Sequence, residues 1–327
     1  MSTELYIVIG LALLFDFLNG VHDSSNIVAT MISSRAFRPQ TALGLTALAN
    51  FLGPFLFGVA VATTIGDEVA QSSALSINVI LACLVGAILW NLLTWFLGIP
   101  SSSSHALIGG ILGAVLAGAG FEAIKLQGLE KVLIALFASP LIGFVVGFLF
   151  TRLIYFLVRN ATLGINEVFK KGQLVTALAM ALSHGTNDAQ KTMGIITLSL
   201  VIGGSLDSFH VPFWVILASA GAIGLGTALG GWRLIRTLGS RFYKIRPLHS
   251  FSTQLTSGIV ILAASVLGMP VSTSQVVSSA IIGVGSSESF GKVRWSVAEE
   301  IVTAWFVTIP ASALVAAGLY WAIQMFA

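Results

Sequence analysis

The chain is a succession of long apolar segments joined by short polar links. A first set predicts helices at about 5–34, 41–64, 77–97, 103–120 and 131–158. A second set predicts helices at about 173–203, 211–235, 252–268, 274–286 and 297–326. Most are near the ~20 apolar residues that a helix needs to cross a bilayer. The pattern therefore predicts an all-α, polytopic membrane protein.

The composition supports the membrane class. Of 327 residues, 56% are hydrophobic and 9% are charged, whereas soluble domains carry about 25% charged residues. The net charge is +3, and we expect the excess basic residues to lie in loops at the membrane surface. We therefore expect the lipid bilayer, and not nucleic acid, as the partner. Cys83 is the single cysteine and lies in an apolar run, which excludes a disulfide framework or a thiolate metal cluster. Because Met1–Tyr6 has no basic region, the first segment is expected to be a retained membrane helix.

The two sets of segments form an internal repeat. The stretch Gly20–Asp23 aligns with Gly185–Asp188, and Gly98–His105 aligns with Gly268–Gln275. We predict one integrated membrane domain of two repeats, residues 1–165 and 166–327. The pieces 77–97 and 103–120 form either a re-entrant hairpin or two full crossings. Either choice leaves an odd number of crossings, so the second repeat is predicted to be inverted relative to the first.

The charges agree with this inverted topology. If Arg35 and Arg38 lie inside, the acidic loop at Asp67 and Glu68 lies outside. The link before residue 172 and the basic loop with Arg233, Arg236, Arg241, Lys244 and Arg246 then return inside. Most of the 16 lysines and arginines thus satisfy the positive-inside rule. Both termini are predicted to face outward.

Two polar clusters, Asn19–Asn26 and Ser183–Thr192, interrupt apolar segments at matching places of the repeats. A charge at the bilayer centre costs at least ~2.5 kcal/mol, and such residues usually serve function. Gly20 and Gly185 are predicted to break their helices and to expose backbone groups. Carboxylates, amides and free carbonyls suit Na⁺ or another hard cation. The predicted cation ligands are Asp23, Asn26, Asn187 and Asp188.

Four further polar residues accompany these clusters. Lys191 follows Asp188 by three residues and lies on the same helix face, where it forms a structural ion pair or attracts an anion. His22 and His184 flank the aspartates as hydrogen-bonding groups or as proton carriers. Asp16 lies two turns before Asp23, has Ala181 as its counterpart, and is interpreted as a polar cavity residue.

Two Pro-x-Ser-x-Ser turns mark the second pair of candidate sites. They comprise Pro100, Ser102 and Ser104, and Pro270, Ser272 and Ser274. Proline suits a helix start and serine is a preferred N-cap, so each turn predicts a helix N-terminus within the membrane. Such N-termini bind anions. Two of them facing each other would fit a tetrahedral oxyanion.

These residues resemble the PiT family of inorganic phosphate transporters, which includes sodium–phosphate symporters. The resemblance rests on Gly20–Asn26, Gly185–Gly194 and the two serine turns. It implies cation-coupled symport of phosphate, inverted repeats with re-entrant hairpins, and a homodimer. Family members carry Asn or His at the position of His22, which leaves the coupling ion open.

The predicted function is Na⁺-coupled symport of inorganic phosphate into the cell across the plasma or inner membrane. No cofactor is expected apart from the co-transported ion, Na⁺ or H⁺. The residues expected to hold phosphate are Ser102, Ser103, Ser104, Ser272, Thr273 and Ser274, helped by Gln190 and Thr192. Coupling to H⁺, transport of a metal–phosphate complex, and a sulfate permease of the same fold remain alternatives.

Two other classes of protein fit less well. An intramembrane enzyme would need Ser104 and His105 as nucleophile and base, but adjacent helical residues do not face each other. The second repeat also has Gln275 in place of His105. A passive anion channel would transport without any cation gradient. We therefore predict a secondary transporter and no enzymatic activity.

Overall fold

The computed structural model describes residues 2–34, 36–99, 101–162, 164–231 and 245–326. Several residues of the sequence argument lie outside these ranges: Arg35, Pro100, Arg233, Arg236, Arg241 and Lys244. The described α-helices are α1 (Thr3–Ser33), α2 (Pro39–Leu52), α3 (Ala60–Thr63), α4 (Ile77–Leu97), α5 (Ser103–Gly118), α6 (Leu126–Leu157), α7 (Ile165–Ile202), α8 (Phe213–Leu229), α9 (Pro247–Val266), α10 (Thr273–Glu288) and α11 (Trp295–Phe326).

Several of these helices can span a bilayer by length and composition. Among the described residues, α1, α4, α6 and α11 qualify, and α2 with the segment up to Glu68 is an apolar pair bent by 69°, either a broken span or a re-entrant loop. The predicted single helix at 41–64 is therefore wrong. The bend follows Gly53 and Pro54, and Gly58 adopts a positive φ of 77°. Proline lacks the N–H that would continue the helix, and glycine tolerates the left-handed conformation.

The two predicted breaks within α1 and α7 are also wrong. Both helices are continuous through Gly20 and Gly185. A Cβ atom on Gly20 would overlap the carbonyl oxygen of Ile223 in α8, and one on Gly185 would overlap that of Asn50 in α2. These glycines therefore allow close helix packing. No half-helix end is available at either position, so ligands must come from side chains and from other segments.

The halves of the chain repeat the same order of elements and pack reciprocally. Helix α1 packs on α8 as α7 packs on α2, and α5 packs on α11 as α10 packs on α6. Helices α6 and α11 each have 32 residues with an internal proline, Pro140 and Pro310. Helix α7 begins at the predicted boundary between the repeats. This reciprocity supports the repeat, whose inverted insertion stays a prediction.

Helix pairs α4–α5 and α9–α10 form two hairpins whose tips lie inside the protein. Gly98 and Gly268 end the first helix of each hairpin with φ of 71° and 67°, a common helix C-terminal conformation. Ser102 and Ser272 then cap the second helices, as predicted, by accepting hydrogen bonds from His105 N at 3.1 Å and Gln275 N at 3.4 Å.

The hairpin tips touch each other. Ser104 Oγ donates to the Val271 carbonyl at 3.1 Å, and Gln275 Nε2 lies 3.3 Å from His105 Nε2. Helices α5 and α10 have 16 residues each, about 24 Å, and the hydrocarbon core is about 30 Å thick. Their length favours re-entrant hairpins over full crossings.

Candidate functional site

The centre of the site is a triangle of Asp23, His184 and Asp188. Helices α1 and α7 pack together and bring Asp23 to the face of α7 that carries the other two. His184 Nε2 lies 3.0 Å from Asp188 Oδ2 and 3.7 Å from Asp23 Oδ2. One possible ligand atom from each residue lies within 4.8 Å of the other two, and all three residues are buried. Asp23 and Asp188 are thus neighbours, and the group could hold a cation.

A polar chain behind the triangle orients His184. Asn50 Nδ2 donates to Thr227 Oγ1 at 2.6 Å, and this hydroxyl donates onward to the Ile223 carbonyl. Asn50 therefore presents its amide oxygen to His184 Nδ1, which lies 3.1 Å away. For that contact to be a hydrogen bond, Nδ1 must carry a proton. The other ring nitrogen, Nε2, then faces the carboxylates.

Lys191 connects the triangle to both hairpin tips. Its ammonium group forms an ion pair with Asp188, three residues earlier on the same face of α7, which is one of the two roles expected from the sequence. The same group donates to Ser104 Oγ at 2.6 Å and to the Val271 carbonyl at 2.8 Å. Lys191 is only 2% exposed. The buried ammonium group of Lys191 thus contacts a carboxylate, the start of α5 and the hairpin tip before α10.

Hydroxyl groups of the hairpins complete the site. Thr273 Oγ1 donates to Asp188 Oδ2 at 2.8 Å and lies 3.4 Å from Asp23 Oδ2. Ser103 Oγ donates to Asn19 Oδ1 at 2.6 Å, and the hydroxyl oxygens of Ser272 and Ser274 are 3.3 Å apart. These hydroxyls bond to one another and to the acidic cluster, so a bound oxyanion must replace some of these bonds.

Two predicted ligands hold neighbouring backbone segments instead. Gln190 Oε1 accepts from Val61 N at 2.8 Å, and its Nε2 donates to the Gly58 carbonyl at 2.8 Å. Asn187 donates to Ser265 Oγ and to the Met269 carbonyl, and accepts from Val271 N. Both side chains therefore fasten the segments around the site, and their roles as ligands stay predictions.

The remaining predicted residues divide between the site and its surroundings. Asn26 donates to Asp23 Oδ1 at 2.7 Å, beside the triangle as expected. The Thr192 hydroxyl lies near Asp16 and has no hydrogen-bond partner among the described residues. His22 lines a cavity of about 190 Å³ together with Asn91 and Trp95.

Sequence reasoning missed three contributors to the site. Asn19 binds Ser103 and Asn50 orients His184, whereas the Val271 carbonyl receives both Ser104 and Lys191. Asn50, a lone asparagine in an apolar segment, is itself a signal of a polar contact between helices. The pattern alone could not identify its partner, and a backbone carbonyl leaves no sequence signal.

The two ends of the site differ in how they are closed. Near the α9–α10 tip, Thr64 Oγ1 donates to the Gly268 carbonyl at 2.8 Å, and Lys131 Nζ binds Glu68 at 2.9 Å and Thr64 at 3.0 Å. We call Thr64, Glu68, Lys131 and Gly268 the latch. Near the α4–α5 tip, a cavity of about 740 Å³ reaches Ser101.

Comparison with known proteins places this geometry in a family. Residues 19–316 match the phosphate transporter family. The chain belongs to this family. It is 46% identical to a probable low-affinity inorganic phosphate transporter of Rhizobium meliloti (strain 1021), over 98% of this chain and 96% of that protein. It is 44% identical to a protein of the same description from Bacillus subtilis (strain 168), over 96% of this chain and 95% of that protein.

A solved structure shares the fold. The structure of a sodium-dependent phosphate transporter superposes with a TM-score of 0.91 at 22% identity, covering 100% of both chains. The resemblance to phosphate transporters seen in the sequence is confirmed. The protein is a multi-pass phosphate transporter and not an enzyme.

Proposed function

We propose that this phosphate transporter is a secondary symporter that moves inorganic phosphate into the cell together with Na⁺. Phosphate carries one or two negative charges, and each costs about 2.3 kcal/mol per 100 mV to move into a negatively charged cell. Co-transported cations offset this cost and supply the driving force. The fold shared with a sodium-dependent phosphate transporter supports Na⁺ as the ion.

The observation that carries the proposal is the position of Thr273. Its hydroxyl bonds to Asp188 and lies near Asp23, although it belongs to the hairpin turn proposed to hold phosphate. Anion and cation sites therefore share one residue. An ion bound between the carboxylates would change the position of Thr273, which gives a direct physical link between the two ligands.

Electrostatics makes this link strong. Lys191 already pairs with Asp188, so Asp23 is the carboxylate of the triangle that repels an oxyanion approaching the tips. Two unit charges about 4 Å apart interact by about 4 kcal/mol at an effective dielectric constant of about 20. That energy corresponds to about a thousandfold in affinity. A cation between the carboxylates cancels much of the repulsion, so phosphate binds well only after the cation.

The hairpin tips supply the groups that would hold phosphate. The first turns of α5 and α10 present backbone N–H groups and serine hydroxyls, which suit an anion at a helix N-terminus. Lys191 lies between both tips and adds a positive charge. Alternating access would come from movement of the hairpins and the latch around this site. Homodimerisation and insertion in the plasma membrane with both termini outside are part of the same proposal.

Uptake of radioactive phosphate into proteoliposomes with imposed gradients tests the proposal. We expect uptake to require an inward Na⁺ gradient and to be lost in Asp23→Asn and Asp188→Asn, because each variant removes a cation ligand. Asp207→Asn, an exposed loop residue, is the matched control and should transport normally. Uptake that persists without any cation gradient would instead identify a passive channel.

Coupling to protons is the second candidate, and the bonding of His184 favours it. If Nδ1 donates to Asn50, a neutral ring would place the Nε2 lone pair 3.0 Å from Asp188 Oδ2. Repulsion between these groups favours the doubly protonated ring, which takes the position proposed for Na⁺. Uptake driven by a pH gradient alone would select this candidate. Competition by sulfate, and a requirement for Mg²⁺ in the same assay, test the sulfate and metal–phosphate alternatives.

A further inference from the structure

Asp16 is a third buried carboxylate close to the site, and it lacks a compensating charge of its own. It lies on α1 seven residues before Asp23, about 10 Å along the helix, and is 0% exposed. Neither of its oxygens has a hydrogen-bond partner among the described residues, and the nearby Thr192 hydroxyl has none either. An unpaired charge in such surroundings is strongly disfavoured, so a counter-ion or a proton must accompany it.

Thr192 supports the counter-ion. It is 1% exposed, and its hydroxyl makes no hydrogen bond within the described residues. Asn19 lies one turn after Asp16 on the same helix face. Its amide oxygen accepts from Ser103 and retains a second lone pair. A carboxylate, a hydroxyl and an amide oxygen form a hard-oxygen set that suits a monovalent or divalent hard cation.

The charged groups near Asp16 already form ion pairs with other residues or compensate them. Asp188, Lys191 and His184 are the charged or titratable groups that act on Asp16, and all belong to α7. Lys191 forms its ion pair with Asp188. A cation or a protonated His184 at the triangle compensates Asp23. Asp16 is then the remaining negative charge, since its counterpart in the second repeat is Ala181.

We propose that Asp16, Thr192 and Asn19 form a second Na⁺ site, separate from the triangle of Asp23, His184 and Asp188. The inference rests on the proposed symport. The contact of Asn19 with Ser103 links this site to the α5 tip, so occupancy would position a group that is expected to bind phosphate. Because the site occurs in one repeat only, two Na⁺ ions would accompany each phosphate, one at each site.

Binding of radioactive Na⁺ to purified protein, without phosphate, tests the site directly. We expect two Na⁺ per chain in the wild type and one in Asp16→Asn, with the remaining ion lost when Asp23→Asn is added. Thr192→Val should weaken one of the two sites by about tenfold, the order expected when a metal site loses a supporting group. Thr197→Val is the matched control, because this buried threonine of α7 also has an unpartnered hydroxyl, and it should bind two ions.

Phosphate uptake by the same variants separates the possible outcomes. We expect the Na⁺ dependence to be cooperative in the wild type and to lose its cooperativity in Asp16→Asn. Two bound Na⁺ ions in Asp16→Asn would overturn the second site. Unchanged Na⁺ binding with a flattened pH dependence of uptake would also overturn it and would identify Asp16 as a proton site. A wild type that binds no Na⁺ and takes up phosphate on a pH gradient would refute the Na⁺ symport itself.

Discussion

At the scale of single residues, Lys191 shows how one buried charge combines stability with function. It neutralises Asp188 and ties the two hairpin tips through Ser104 and Val271. Removing one partner of a buried ion pair leaves the other charge uncompensated, at a cost of about 3–5 kcal/mol. Removing both partners costs much less. The contribution of the Lys191–Asp188 pair to stability can therefore be measured independently of transport.

We expect Lys191→Met to lower the melting temperature of the purified protein strongly, because Asp188 keeps its charge without the lysine. The double variant Lys191→Met/Asp188→Asn should regain much of this stability. Lys125→Met is the control: its ion pair with Asp67 is well exposed, and such pairs contribute about 0–1 kcal/mol. Equal melting temperatures of single and double variants would contradict the role of Lys191 as the partner of Asp188.

At the scale of the elements, the polar helices α1 and α7 are continuous and pack against other helices through glycine. Gly20 meets the backbone of α8, and Gly185 meets the backbone of α2. Close packing on α8 and α2 sets the positions of α1 and α7, which carry the acidic triangle. A larger residue at either glycine would displace its helix and so move the residues of the triangle.

Gly20→Ala should reduce stability by about 1–3 kcal/mol, the usual cost of overpacking. It should also weaken Na⁺ binding, because the shift of α1 moves Asp23. Gly10→Ala in the same helix is the matched control. No atom lies within 4 Å of a Cβ at that position, so the change should be neutral or stabilise the helix by up to about 1 kcal/mol. Thermal unfolding in detergent measures the stability of the two variants. Similar unfolding curves for Gly20→Ala and Gly10→Ala would argue against a packing role of Gly20.

At the scale of the whole molecule, the two ends of the site are unequal. The latch closes the end at the α9–α10 tip with ion-pair and hydroxyl bonds. The cavity at the α4–α5 tip lies against the first half of α11, which contributes Glu299 and Glu300. In alternating access, the closed end opens and the open end closes during the cycle. The bonds in the latch should therefore oppose opening of the end at the α9–α10 tip.

Lys131→Met should open the latch more often. Both partners of the Lys131–Glu68 pair are about one-third exposed, so the effect should be at most about 1 kcal/mol, or about fivefold. The measurement is the alkylation rate of a reporter, Ala60→Cys, placed beside Gly268 in a Cys83→Ala background. Lys125→Met is again the control and should leave the rate unchanged. A rate that is insensitive to Lys131→Met would show that the latch does not limit access.

Part of this architecture could be predicted from local chemistry. Apolar runs predicted most helices within a few residues of their observed ends, because the bilayer requires long apolar segments. Ser102 and Ser272 were identified as helix caps because a cap is made within one turn of chain. The same local view was wrong for Gly20 and Gly185, since a glycine that breaks a helix and one that packs against a neighbour look alike in the sequence.

The amino-acid sequence by itself determined the membrane class, the two matching halves, the phosphate transporter resemblance and the identity of the polar residues. Only the tertiary structure decided which of those residues meet. His184 and Asn50 are 134 positions apart, and Asp23 and Thr273 are 250 apart. It also showed that Gln190 and Asn187 form hydrogen bonds with the backbone of neighbouring segments, and that Asp16 lies near Thr192. The physical reason is that a polar side chain in a membrane helix must find a partner, and the partner depends on how distant helices pack.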